Sequence, residues 1–73
     1  MMVDVNKLKG KIYEAGMTIP GLARRMNISP STLYRKLERN GEGLLVKDVD
    51  KIISIVDISD DDITPIFFTQ LVA

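Results

Sequence analysis

Cysteine and histidine are both missing from the 73 residues, and their absence removes more chemistry than any other feature of the composition. Without a thiol or an imidazole there is no disulfide staple, no thiolate nucleophile, no imidazole acid–base group and none of the common Cys/His zinc or haem ligations. Only carboxylate, hydroxyl or lysine chemistry is left, and a chain this short does not build a large, deep pocket, so no enzymatic activity and no cofactor or metal is expected. The lack of cysteine fits a reducing compartment and equally a disulfide-free secreted protein, so it says little about location. Long apolar runs are missing too: no stretch approaches the roughly 18 uncharged residues needed to span a bilayer, and a membrane partner is not expected. Residues 1–20 carry Asp4, Lys7, Lys9, Lys11 and Glu14 where a signal peptide needs an unbroken apolar core.

What is present is 45% hydrophobic residues, with 10 Lys+Arg balanced by 10 Asp+Glu. This suits one small domain over 1–73. Near this length a domain buries only about 60% of its unfolded surface, so packed helices or a partner must supply the stability. The zero net charge conceals a polarity. Residues 1–40 hold 8 basic and 3 acidic side chains and residues 41–73 hold 2 and 7, giving halves of +5 and −5. A polyanion can meet the first half and avoid the second.

There is no linker, repeat or low-complexity tract, and the apolar spacing predicts an all-α domain of five short helices. Leu8, Ile12 and Ala15 follow i, i+4, i+7 on a first helix over about 5–15, with Gly16 as its stop. Thr18 can cap a second helix that tolerates Pro20 in its first turn and buries Leu22, Ala23 and Met26. Ser29-Pro30 opens a third, with Leu33 and Leu37 inward and Asn40-Gly41 at its end. Val49, Ile52, Ile53 and Val56 give a fourth over about 47–56; their β-branching makes a buried strand the competing assignment, but the interspersed charges leave no period of two. Ser59 and the acids at 60–62 precede a fifth, about 62–71. Its start is placed at 61–64, because a proline beyond the first turn removes a bonded N–H, and Pro65 must therefore lie early.

Residues 18–39 combine a two-turn helix, a tight connection at Asn27-Ile28-Ser29 and a second helix with a basic outer face. This is the build of a helix-turn-helix: small Ala23 lets the two helices approach, Met26, Ile28 and Leu33 seal the corner, and Asn27 is the best non-glycine residue for a left-handed turn. The segment from Thr18 through Ile19-Pro20 and Ser29-Pro30 to Arg39 resembles the phage repressor and Cro family, and the order of helices over about 5–69 looks like a lambda-repressor-like domain. Two positions depart from that family's pattern. Ile19 stands where many relatives have Gln, and Lys36 replaces the usual apolar residue three after Leu33, with Leu37 taking the inward role.

The resemblance implies a sequence-specific transcriptional regulator in the cytoplasm of a bacterium or a phage-infected host, with a double-stranded DNA operator as partner. The second motif helix would lie in the major groove, with Ser31, Thr32, Tyr34 and Arg35 toward bases and Lys36, Arg39, Arg24 and Arg25 at phosphates. Arg35 suits sequence reading because a guanidinium can pair bidentately with guanine O6 and N7. Five of these residues have a plainer alternative: the Tyr34 ring as a cover for the core edge, Arg24 and Arg25 on a solvated face, Ser31 or Thr32 as a helix cap.

A second reading makes the chain an antirepressor, an interaction module that binds another repressor protein and blocks its DNA contact. The acidic second half and the apolar Ile66, Phe67, Phe68, Leu71 and Val72 support it. One side of that last helix should close the monomer core, leaving the other for a homodimer or a phage repressor. Other constellations fail. The Asp57–Asp62 stretch lacks the central glycine and terminal glutamate of a calcium loop, and Gly41-Glu42-Gly43 lacks the later residues of a phosphate loop.

Overall fold

The computed structural model describes residues 2–69, and among them it contains five helices and no strand: α1 (Val5–Glu14), α2 (Ile19–Arg25), α3 (Pro30–Gly41), α4 (Val46–Val56) and α5 (Asp60–Phe67). The starts of α1 to α4 are each set by a local polar group. Asp4 accepts from the Lys7 N–H at 3.0 Å, Thr18 Oγ1 from the Gly21 N–H at 3.1 Å and Ser29 Oγ from the Thr32 N–H at 3.2 Å, each satisfying one donor that the first turn leaves unpaired. Pro20 and Pro30 occupy first-turn positions where their missing N–H costs nothing. At the fourth helix no side chain of residue 45 can serve, and Asp48 reaches back instead to accept from the Leu45 N–H at 2.9 Å.

The segment 46–56 is helical, with Val49, Ile52 and Val56 buried, so its charges outweigh its β-branched residues. Two expectations are corrected. Regular geometry in α3 stops at Leu37: Glu38 turns to ψ 156° and Arg39 and Asn40 both take left-handed angles (φ 54° and 60°), so the helix breaks before the expected Asn40-Gly41. In α5 the first residue is Asp60, which leaves Pro65 inside the helix rather than in its first turn. The lost N–H would have paired with the Asp61 carbonyl, and because Asp61 is exposed, water can take that acceptor. The expected extension of this helix to 71 lies outside the described residues.

The core joins all five helices: Leu8 and Ile12 of α1, Leu22 of α2, Leu33 of α3, Ile52 of α4 and Phe67 of α5 are fully buried. Burying an aliphatic or aromatic side chain of this size is worth about 1.5–3 kcal/mol, which makes this cluster the main source of stability. The N-terminal strap closes the assembly. The Val3 N–H donates to the Asn40 carbonyl (2.8 Å), the Asp4 N–H to the Ile66 carbonyl (2.7 Å) and Thr69 Oγ1 to the Met2 carbonyl (3.1 Å). On the opposite edge Lys11 Nζ meets Asp62 at 3.0 Å, tying α1 to α5. No helix among the described residues is long and apolar enough to cross a membrane.

Candidate nucleic-acid interface

The most extensive helix–helix contact in the molecule is between α2 and α3. Ala23 makes it possible. It is fully buried between the two helices, and its carbonyl accepts from the Ile28 N–H (3.0 Å) across the turn, where Asn27 has φ 61° as its residue type suggests. Met26 and Leu33 close the corner from inside, and Ile28 packs against it. With Leu33 and Leu37 in the core, the rotation of α3 about its axis is fixed. The stripe opposite is Ser31, Tyr34, Arg35 and Glu38, all exposed and spaced i, i+3, i+4, i+7.

Tyr34 is 49% exposed, so its ring belongs to this outer face rather than covering the core. Arg35 is exposed beside it, and Arg24 and Arg25 project from α2; Arg25 Nη1 rests 3.8 Å from Met17 Sδ. The cap of α3 is Ser29. Its Oγ also lies 2.8 Å from Thr32 Oγ1 and 3.2 Å from Ser31 Oγ, so both hydroxyls are gathered at the helix start as partners of the cap. Arg39 is exposed but sits in the left-handed turn after Leu37, off the helical face on which the spacing had placed it.

Lys36 is where the geometry departs furthest from expectation. Its ammonium is turned to α4, 3.0 Å from Asp48 Oδ2, with the lysine side chain 21% and the aspartate side chain 6% exposed. The same Oδ2 receives the Leu45 N–H. Burial pushes the Asp48 carboxyl up, but the Leu45 N–H and the Lys36 ammonium together hold it below its ordinary range. Glycine at 43 permits the close packing of this corner, since a Cβ there would stand 3.1 Å from Lys36 Cα. Lys36, expected at a phosphate, is therefore ion-paired within the protein itself.

Two residues escaped the sequence reading. Glu38 lies on the outward stripe, as its spacing from Ser31 and Arg35 allows, and it places one negative charge among the arginines. Asp48 sits three residues after the cap position Leu45, as the third residue of α4, from which an acid reaches back to a helix cap; the signal is obscured because Leu45 is no conventional cap residue.

At the far end, Ile66 and Phe67, expected on a contact surface, are closed into the monomer's own core at 1% and 0% exposure. A 73-residue domain needs their area for itself. Phe68 is half-buried against that core, and Leu71 and Val72 lie outside the described residues. Asp60 and Asp61 are exposed at the start of α5, while Asp62 pairs with Lys11 and accepts from Ser59 Oγ (3.0 Å); Lys11 first and Ser59 second hold its carboxyl below the usual range, and Asp62 in turn raises the lysine.

Residues 7–40, just under half of the chain, match the model of a family described as the helix-turn-helix domain of resolvase. No curated protein and no solved structure matches the chain. The match spans α1, α2 and α3, the elements that orient the outer stripe, and with the five-helix architecture it supports a helix-turn-helix DNA-binding domain.

Proposed function

We propose that the protein is a transcriptional regulator of the phage Cro or repressor type, reading an operator by inserting α3 into the major groove. The observation that carries this reading is the outward stripe of α3. Ser31, Tyr34 and Arg35 project together from a helix whose rotation is locked by Leu33 and Leu37, and Arg24, Arg25 and Arg39 flank it without an acidic partner among the described residues. Bases are read by the stripe and phosphates by the flank. One such motif reads few base pairs, so a two-fold homodimer on half-sites about one DNA turn apart follows naturally. Phe68, with Leu71 and Val72, is the candidate contact, to be tested by light scattering of the wild type and Phe68→Ser.

The decisive experiment is selection of duplexes from a random pool at stated salt, followed by binding of variants to the selected site. Arg35→Ala should cost about 1–3 kcal/mol and relax discrimination at one base pair, while Arg25→Ala should weaken all sequences alike and lower the salt slope by about one. Unchanged specific binding by Arg35→Ala would show that α3 is not the reading element. Capture of a repressor protein with no retained DNA would favour the antirepressor reading, in which the acidic start of α5 and Phe68 form the surface.

A further inference from the structure

The basic side chains of the α2–α3 motif are not equivalent. Arg24, Arg25, Arg35 and Arg39 are exposed and none is in an ion pair among the described residues, whereas Lys36, adjacent to Arg35, is held by an acid from outside the motif. The contact is short (3.0 Å), and its acceptor is fixed independently by the Leu45 N–H at 2.9 Å. Asp48 is thus held in place by the helix start it caps, and it draws the lysine away from the outer face. A lysine one position from the base-reading stripe is within side-chain reach of a phosphate, and phosphate contacts raise affinity for every sequence alike.

We propose that Asp48 is a specificity-determining residue: by holding Lys36 Nζ it withholds from the DNA backbone a cation that stands beside the base-reading stripe. Sequence-independent binding is thereby kept low, and Arg35 and Tyr34 carry a larger share of the total. The inference rests on the reading of α3 as the recognition helix. Asp48 touches no base or phosphate; it acts through Lys36.

The test uses the full chain and four proteins: wild type, Asp48→Asn, Lys36→Met and the double variant. Asp48→Asn keeps an acceptor for the Leu45 N–H, so the helix start survives while the charge that holds the lysine is lost. Fluorescence anisotropy is measured over a salt series with the selected duplex and an unrelated duplex of equal length. Asp48→Asn should steepen the salt dependence on the unrelated duplex by about 0.9 in log–log slope, so that its affinity falls about threefold more than wild type between 50 and 200 mM salt. The ratio of specific to non-specific affinity should drop. Both changes should vanish in the double variant, because without Lys36 there is no cation to release. Lys36→Met alone should keep the wild-type slope.

An unchanged slope in Asp48→Asn overturns the proposal, as does a gain that persists in the double variant, which would assign it to the lost negative charge alone. Should Asp48→Asn fail to fold, Lys36→Met decides: a slope lower by about 0.9 would mean that the lysine already meets a phosphate. Binding by the wild type with either of those results refutes this inference and leaves the DNA-binding reading intact. No binding by any of the four refutes both.

Discussion

Gly41→Ala should be among the most damaging single-atom additions to this protein. Gly41 follows two left-handed residues at the end of α3 and has φ +75° itself. An alanine there incurs the left-handed cost of about 1–2 kcal/mol. Its Cβ would also stand 2.8 Å from Val3 Cβ, 2.9 Å from Val3 Cγ2 and 3.2 Å from Leu44 Cδ1. Val3 cannot simply withdraw, because its N–H donates to the Asn40 carbonyl and its side chain is buried. Forcing a methyl into such a site costs about 1–3 kcal/mol more.

The sum, about 2–5 kcal/mol, is comparable with the roughly 4–11 kcal/mol that holds a domain of this length together. Urea unfolding followed by far-ultraviolet circular dichroism should show the midpoint lowered by about 2–5 M, given a slope near 1 kcal/mol per M for so small a domain. The two contributions can be separated. Val3→Gly removes the two closest atoms that the new methyl meets and leaves only Leu44 Cδ1 at 3.2 Å, so in that background Gly41→Ala should cost little beyond the conformational part, about 1–2 kcal/mol. An unchanged midpoint would refute the argument entirely, and equal losses in the two backgrounds would refute its steric half.

Ala23→Glu should abolish cooperative unfolding, since burying an unpaired carboxylate between α2 and α3 exceeds a stability of roughly 5 kcal/mol; a folded, cooperative melt would contradict the helix pairing. Asp48 and Asp62 both have folded-state pKa values below their ordinary ones, so their contributions are complete above the unfolded value near 3.9 and are lost as pH falls through the lower folded values. The urea midpoint should therefore decline below about pH 4, and less steeply in Asp48→Asn; parallel curves for the two proteins would contradict the assignment. Lys11, raised by the same pairing with Asp62, gives the opposite limb: its contribution is present below the unfolded value near 10.4 and is lost only as pH rises through the higher folded one, which Asp62→Asn should remove.

The elements written in short-range chemistry were legible in the sequence. Thr18, Ser29-Pro30 and Asn27 announce two helix starts and the turn between them, because a cap or a left-handed residue acts on atoms within three positions of itself. What escaped depends on distant residues. Asn40 is a residue type suited to the left-handed region, but Arg39 gives no sign that it will be left-handed, and the bond from Val3 to the Asn40 carbonyl joins this turn to a residue far away in sequence. Lys36 was read as a phosphate ligand because its partner is 12 residues away on another helix. Pro65 reads locally as a boundary marker, yet it lies inside α5, where the residue whose carbonyl loses its partner, Asp61, is exposed. In the same way Ile66 and Phe67 are apolar enough for either an interface or a core, and only the packed molecule decides.

The N-terminal strap has a kinetic consequence. The α2–α3 hairpin joins residues close in sequence and can condense early, but the strap closes bonds between residues far apart in sequence, up to 67 residues between Thr69 and Met2. It therefore belongs to the last stage of folding and gains little in the transition state, so weakening it should speed unfolding more than it slows refolding. The Val3 amide proton, bonded to the end of α3, and the Asp4 amide proton, bonded to α5, then exchange with solvent when the strap opens, and their protection measures the free energy of that opening.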